Sequence, residues 1–402
     1  MINPYSPTIP GTVIGQGSQQ PIPRAKPPEL KMPEMDLMRA INFYADYSGC
    51  GYWRMIWPEQ ILTAYQHMII HGTTIMCFDE NWYASAKSVR IQRQATPHQL
   101  KFIQHLKQLS SKHDFKIIYE IDDIVFHEDI PHYNKFRSAF TDPVIRESAK
   151  EIMNLCDEMT VTCDFMKDYY ESKTGHKQIS VIPNYMPKFW IGHCYDEKGI
   201  SRNFEKNRKK PRILYPGSGA HFDVDNRVKQ QDDFAHVLDA VIKTRKKFQW
   251  VFFGAYPLRL QEYINSGEME FTPWVNLYDY PSTISNLKPN VLVAPLYDNT
   301  FNKAKSDLKY IEACALGIPG ICQDLVTYKN APYRFTTGDE MIDQILAVTK
   351  DKSTYMKCSR EGHRIAQGRW LESPDNIGKY KELYSLPYAD PGRLLLNKQN
   401  NL

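Results

Sequence analysis

The sequence predicts an α/β protein of two parallel-sheet halves facing a cleft. Three observations predict it. Short apolar runs alternate with amphipathic helical segments from about residue 36 onward. The alternation is interrupted once, by the basic stretch 202–212, and then restarts. The chain is 402 residues long, too long for one ordinary domain and long enough for two full cores.

In order, Ala40 to Tyr44 reads as a strand, Asp46 to Tyr52 as a glycine-bearing loop, and the residues through Ile61 and Tyr65 as a helix. Thr73–Phe78 and Val89–Gln92 are the next expected strands. Pro97–Leu109 spaces Leu100, Ile103, Leu106 and Leu109 for a helical face, and Phe115–Ile121 is a β-rich run ending in acids. Helices over 145–155 and 164–170 alternate with strands over 159–161 and 179–182. After the basic run come the strand Arg212–Tyr215, the Gly217-Ser218-Gly219 turn, a helix over Phe234–Thr244 and the strand Trp250–Gly254. A short strand ends at Trp274, and Val291–Pro295 is another strand. Phe301–Pro319 reads as a polar loop feeding a short helix stopped by Gly317 and Pro319, followed by a strand at Gly320–Cys322. Helices fill 339–348 and a last region up to about 386. The expected organisation is a Pro-rich arm over 1–35, extended or disordered, a first Rossmann-like half over 36–200, a linker over 201–212 and a second Rossmann-like half over 213–370. A C-terminal helix and tail over 371–402 would pack back on the first half.

Composition narrows the function classes. The net charge of +4 is mild and spread, which permits nucleic acid without demanding it. Eight cysteines are scattered with no C-x-x-C pair, and no His/Cys spacing suits a metal, so no metal site is expected. His127 and His132 near Asp122-Asp123 lack ligand spacing. This cysteine usage points to a reducing cytoplasm, and neither a membrane-spanning run nor a signal pattern is visible.

The chemistry concentrates in loops after predicted strands, where parallel α/β sheets bind ligands. The N-terminus of the helix after Lys305 and Ser306 offers free N–H groups and partial positive charge to a phosphate. Glu312 lies six residues beyond Ser306, about 9 Å along the axis at roughly 1.5 Å per residue, near the distance from a diphosphate to its ribose hydroxyls. Leu308, Ile311 and Ala315 share a face that is buried whatever the function. Gly49 and Gly51 permit close approach to a ligand and Arg54 would reach an anion. Gly217, Ser218 and Gly219 leave room for phosphate or sugar, and His221 would donate a hydrogen bond. Trp274 would pack on a nucleobase, and Asp122 or Asp123 would serve as a base.

Taken together, Gly49-Cys50-Gly51-Tyr52-Trp53-Arg54 with Pro58, Tyr119 to Asp123, Val181-Ile182-Pro183-Asn184-Tyr185, Gly217 to Gly219 and Phe301 to Pro319 resemble GT-B glycosyltransferases. The resemblance is to the large retaining family that uses nucleotide sugars and includes glycogen and sucrose synthases. It covers about 40–385, and 119–131 and 183–190 look most like enzymes of tailed bacteriophages. It implies a nucleoside diphosphate sugar as donor substrate, no required cofactor, and transfer to an acceptor hydroxyl with retention. Glu312 matches the second acid of the family's E-x7-E motif, which holds the ribose. Asn302, Lys305 and Ser306 fall in the donor-diphosphate loop, where Lys305 and Glu312 would act with Asp122 or Asp123 in catalysis. Gly217 to Gly219 would line the donor site, Trp274 would lie near the base, and Gly49 to Gly51 near the transferred sugar.

Two positions depart from the family. The first motif acid is replaced by Ala304, and the usual Arg/Lys pair for the diphosphate has only Arg227 and Lys229, or Lys305, as substitutes. For a phage enzyme in the host cytoplasm, the expected acceptor is a hydroxymethylated pyrimidine of double-stranded DNA, with Arg202, Lys206, Arg208, Lys209 and Lys210 on its phosphates. A surface glycan or protein acceptor, or a non-catalytic GT-B-like nucleotide- or nucleic-acid-binding protein, remains open, as does the oligomeric state.

Overall fold

The computed structural model describes residues 38–65, 68–193, 195–223 and 232–385. The Pro-rich arm, Arg227 and Lys229 lie outside them. Within them the chain forms two six-stranded sheets. The first contains β1 (Arg39–Phe43), β2 (Ile69–Thr73), β3 (Ser88–Gln92), β4 (Lys116–Glu120), β5 (Glu158–Val161) and β6 (Ile179–Val181), in the order β2-β1-β3-β4-β5-β6. The second contains β7 (Arg212–Gly217), β8 (Gln249–Gly254), β9 (Glu270–Pro273), β10 (Val291–Ala294), β11 (Gly320–Gln323) and β12 (Tyr333–Phe335), in the order β12-β11-β10-β7-β8-β9. Every pairing is parallel.

The central strands are buried along their whole length, as parallel strands covered on both faces must be. All five residues of β4 and all four of β10 are buried; β10 is the continuous apolar run Val-Leu-Val-Ala, and β4 carries Ile117, Ile118 and Tyr119 between Lys116 and Glu120. Each sheet changes winding direction once, between β1 and β3 in the first and between β7 and β10 in the second. Crevices at such points are where open α/β sheets take ligands.

Several expected boundaries shift. The second strand is Ile69–Thr73, not 73–78, because Gly72 and Thr73 end the pairing with β1 and the next residues turn outward. The Gly49–Gly51 loop is already helical and runs through a π turn at Tyr52–Ile56 into the helix Trp57–Ala64. The basic run 202–212 is helical up to Asn207, in a helix Glu197–Asn207 anchored by the buried Phe204. Its charges line the solvent side while Phe204 stacks on Tyr355 with ring centroids 4.7 Å apart. Residues 234–237 form turns, and the helix expected there starts only at Leu238. The 301–319 segment is two helices, Thr300–Lys303 and Leu308–Ala315, with the chain redirected between them at Ala304 to Asp307.

The two sheets share one packed interior. A single cluster of buried side chains joins Trp53 and Ile118 of the first half to Leu214, Leu292 and Ile311 of the second. The helix Pro374–Tyr384 returns to the first sheet, where the Tyr384 hydroxyl donates to Asn42 Oδ1 at 3.1 Å.

Candidate donor site

A cavity of about 270 Å³ opens at the carboxyl ends of β7 and β10 and faces the residues that follow β1 and β4. Its wall from the second half is Pro216, Gly217, Ser218, His221, Trp274, Tyr280, Lys305, Ser306, Lys309 and Glu312, with Leu296 and Tyr328 behind. Its wall from the first half is Gly49, Cys50, Trp53, Asp122, Asp123 and Asn184. The fold thus brings together Gly49, Asp122, Asp123, Gly217, Ser218, His221, Trp274, Lys305, Ser306 and Glu312 from five separate stretches of chain.

The helix Leu308–Ala315 sets the cavity's long axis. Its cap residue, Asp307, makes no side-chain bond to the first turn. The Asp307 carboxylate instead accepts from Arg369 Nη1 and Nη2, both at 3.1 Å. The helix start therefore lacks the side-chain acceptor that usually occupies it. Ser306 is held from across the cleft, its hydroxyl accepting from Asn184 Nδ2 at 3.0 Å. Lys305 also reaches across, with Nζ 3.1 Å from Asp123 Oδ2 and 4.2 Å from the centroid of the Phe301 ring. Burial works against the charge on Lys305, but the nearby Asp123 carboxylate outweighs it and holds the ammonium above its ordinary range. Burial pushes the Asp123 carboxyl up despite that partner. Asp122 differs: its Oδ1 is buried in the wall without a hydrogen bond, 3.7 Å from Arg93 Nε.

At the other end of the helix, Glu312 is buried and accepts from the Tyr280 hydroxyl at 3.1 Å. Burial lifts its carboxyl to about 8, against the opposing pull of Tyr280 and Lys309. Trp274 stands edge-on to Tyr280 with centroids 5.5 Å apart and is half exposed at the cavity mouth. It lies over Gly254, whose φ of +94° and lack of a side chain let the indole approach; a Cβ there would come within 2.7 Å of Trp274 Cε3.

A polar chain runs behind this wall. Asp233, 1% exposed, accepts from the Tyr133 hydroxyl at 2.6 Å, from the Tyr297 N–H at 3.0 Å and from Asn302 Nδ2. Its other oxygen lies 2.7 Å from His221 Nδ1, and His221 Nε2 lies 3.2 Å from Lys309 Nζ. Burial and the Lys309 charge press His221 down to about 4, so its ring is neutral near pH 7. Burial likewise lowers Lys309 to about 8.

Four sequence candidates lie elsewhere. Arg54 is fully buried beneath the site: its Nε donates to Glu120 Oε1 at 2.6 Å, and its Nη1 donates to Ile182 O at 2.6 Å and Asn184 Oδ1 at 2.9 Å. Arg90 and Thr160 complete the ring around Glu120. Arg54 is spent on Glu120, Ile182 and Asn184 with no exposed surface left, so it supports the wall rather than meeting a ligand. Asn302 is spent on capping its own helix and on Asp233 and Tyr297. Gly51 is pressed against the Asp46 carbonyl, where a Cβ would sit 1.9 Å from the oxygen. Gly219 opens the turn that carries His221 but does not line the cavity. Ala304 is fully buried and packs with Phe301 into the core of the first half, so its side chain does not face the cavity.

Sequence reasoning missed Lys309, Asp233, Tyr280, Trp53 and Asn184 as site residues. Lys309 and Glu312 are three apart on one helix face, a spacing visible in the sequence; Asp233 and Tyr280 come from segments that only folding brings near. Among the described residues no group of three or more His, Cys, Asp or Glu side chains is arranged to hold a metal ion, and no helix is long and apolar enough to cross a membrane.

No protein-family model matches the chain. No curated protein matches it either. Solved structures do. HepE of Anabaena, determined in complex with UDP, aligns over 86% of this chain and 99% of its own, with a TM-score of 0.57 and 10% identity. A TarM mutant of S. aureus in complex with fondaparinux, α-GlcNAc-glycerol and UDP aligns over 75% of this chain and 55% of its own, with a TM-score of 0.46 and 10% identity. UGT2 of Phytolacca americana, complexed with UDP-2-fluoro-glucose and pterostilbene, aligns over 87% and 99%, with a TM-score of 0.43 and 8% identity. The likeness to HepE and the paired six-stranded parallel sheets define the architecture: this is a GT-B fold.

Proposed function

We propose that the protein is a glycosyltransferase that moves a sugar from a nucleoside diphosphate sugar to an acceptor hydroxyl. One observation carries the proposal. Followed by its contacts, the cavity wall runs from Trp274, edge-on to the Tyr280 that bonds Glu312, along the helix to Ser306 and Lys305 and on to Asp123, with Asp122 and Gly49 beside it. A nucleoside diphosphate sugar has the matching order of base, ribose, diphosphate and sugar. The UDP bound in HepE, a protein of the same fold, supports the choice of ligand class.

In this reading Glu312 accepts from ribose hydroxyls. Lys305, Ser306 and the start of the Leu308–Ala315 helix stabilise the charge that develops on the departing diphosphate, in a site already organised for it. Gly49 has no protein atom within 4 Å of an added Cβ, so its surface is open to the sugar. Asp122, whose Oδ1 makes no hydrogen bond and only a 3.7 Å ion pair with Arg93, is the better placed of the two carboxylates to meet a sugar or acceptor hydroxyl, since Asp123 is committed to Lys305. Retention, with the leaving phosphate taking the acceptor proton on the same face, is carried over from the sequence resemblance.

The acceptor, a hydroxymethylated pyrimidine in phage DNA, rests on the same resemblance. Arg202, Lys206, Arg208, Lys209 and Lys210 are all exposed. They precede the start of β7, whereas the cavity lies beyond its end, about 20 Å away at roughly 3.3 Å per residue. That run therefore would grip DNA away from the reacting bond.

The test is binding and slow hydrolysis across UDP-, GDP- and ADP-sugars, with Glu312→Ala and Lys305→Ala alongside. One donor bound and hydrolysed, with both lost in the two variants, is the expected result. No binding of any donor by the intact protein would sink the proposal. Hydroxymethylated DNA and glycans are then compared as acceptors, and the product's anomeric configuration read by NMR.

A further inference from the structure

We infer that Lys309 binds the inner, nucleoside-proximal phosphate of the donor, and that Asp233 and His221 are the positioning residues that aim it. The inference rests on the nucleotide-sugar reading above and adds a phosphate contact to it.

Lys309 is the cation of this cavity without an acid of its own. Lys305 is paired with Asp123, but among the described residues no carboxylate lies within ion-pair distance of Lys309. Its contacts are the neutral imidazole of His221 at 3.2 Å and the face of Tyr215, 5.2 Å to the ring centroid. An ammonium walled in by an aromatic ring and a neutral base has lost water, and Asp233 and Glu312 act on it only from beyond ion-pair distance; an anionic ligand would supply the direct counter-charge.

The hydrogen-bond directions follow from the partners. Asp233, surrounded by donors from Tyr133, Tyr297 and Asn302, accepts the Nδ1–H of His221. That leaves Nε2 as an acceptor, so Lys309 must donate to it. One of the three ammonium protons is thereby fixed, and the other two remain for a ligand.

Register identifies the phosphate. Lys309 precedes Glu312 by three residues, about 4.5 Å along the helix axis at roughly 1.5 Å per residue, and Ser306 lies in the turn just before the helix starts. Residues three apart share a helix face. With the ribose at Glu312 and the outer phosphate at Lys305 and Ser306, the inner phosphate falls between them, opposite Lys309.

Calorimetric titration with uridine, UMP and UDP, and with the matching guanosine and adenosine series, tests this. Lys309→Met should weaken the monophosphate and the diphosphate alike, by about tenfold or more as for a charged hydrogen bond, and leave the nucleoside unchanged. Lys305→Met should weaken the diphosphate alone. His221→Gln should weaken the monophosphate severalfold, and adding it to Lys309→Met should cost nothing more, because both act through one contact. Unchanged monophosphate and diphosphate binding in Lys309→Met would overturn the assignment alone, as would an equal loss for the nucleoside or additive effects in the double variant. If the intact protein binds none of the three diphosphates, the nucleotide-sugar reading falls and this assignment with it.

Discussion

Glu312 carries a cost in the free protein that its ligand would relieve. Burial lifts its carboxyl to about 8, far above an unfolded glutamate. A raised folded value means the folded state holds a proton that the unfolded state has released, so stability falls as pH rises from about 4.5 through 8. Glu312→Gln should therefore melt higher than the parent at pH 8, match it near pH 5, and bind no donor. Thermal melts at the two pH values check the first part, and an unchanged pH 8 midpoint would contradict it. Glu120 is the opposite case. Burial raises it, but the Arg54 and Arg90 charges prevail and hold it below its ordinary range. Its contribution is present above the unfolded value and lost as pH falls through the folded one. Glu120→Gln leaves two buried guanidinium groups short of a counter-charge and should cost about 3–5 kcal/mol at pH 7 in urea titrations. The loss should shrink toward pH 3.

Two glycines of one helical turn separate folding from function. At Gly51 an added methyl meets the Asp46 carbonyl, and the chain would have to move. Gly51→Ala should destabilise by about 1–3 kcal/mol or more and disturb the cavity only indirectly. At Gly49 the methyl meets nothing in the free protein but projects where the proposed sugar lies. Gly49→Ala should leave stability unchanged or raised by up to about 1 kcal/mol, as alanine does in a helix, while donor turnover falls. Equal turnover in Gly49→Ala and the parent would remove this turn from the sugar site. The helix Leu308–Ala315 shows the same division: Ile311 and Ala315 face the core, and Lys309 and Glu312 face the cavity.

Across the whole molecule, the two sheets are joined at many points. Tyr133 reaches Asp233, Asn184 reaches Ser306, Asp123 reaches Lys305, and Phe301 with Ala304 is packed into the other half's core. Shared apolar burial of this kind couples the halves energetically. Calorimetry should show one unfolding transition with equal calorimetric and van't Hoff enthalpies, whereas two separated transitions would show the halves to be independent. The Asp123–Lys305 pair also competes with a diphosphate for the same ammonium. Asp123→Asn should bind the free nucleoside diphosphate more tightly than the parent, measured by titration; weaker binding would mean that Asp123 helps hold the ligand.

The alternation of apolar runs and helical faces determined the two parallel sheets, because strand burial on both faces leaves a continuous Val, Ile and Leu signature that is local in sequence. The Leu308–Ala315 helix and Glu312 on it were legible for the same reason, as helical periodicity is local, whereas Lys305 and Ser306 lie in the turn that redirects the chain before it. Arg54 was misassigned because a lone arginine near glycines looks like an anion ligand; that it faces Glu120, 66 residues away, is visible only once β4 lies beneath it. Asp233, His221 and Lys309 form a chain only where a turn, a 3-10 segment and a helix converge. Sequence determined the type of most segments, though not the helical start at Gly49 or the helix within the basic run. Tertiary structure decided which charges meet, since an ion pair depends on distance and burial that no local pattern encodes.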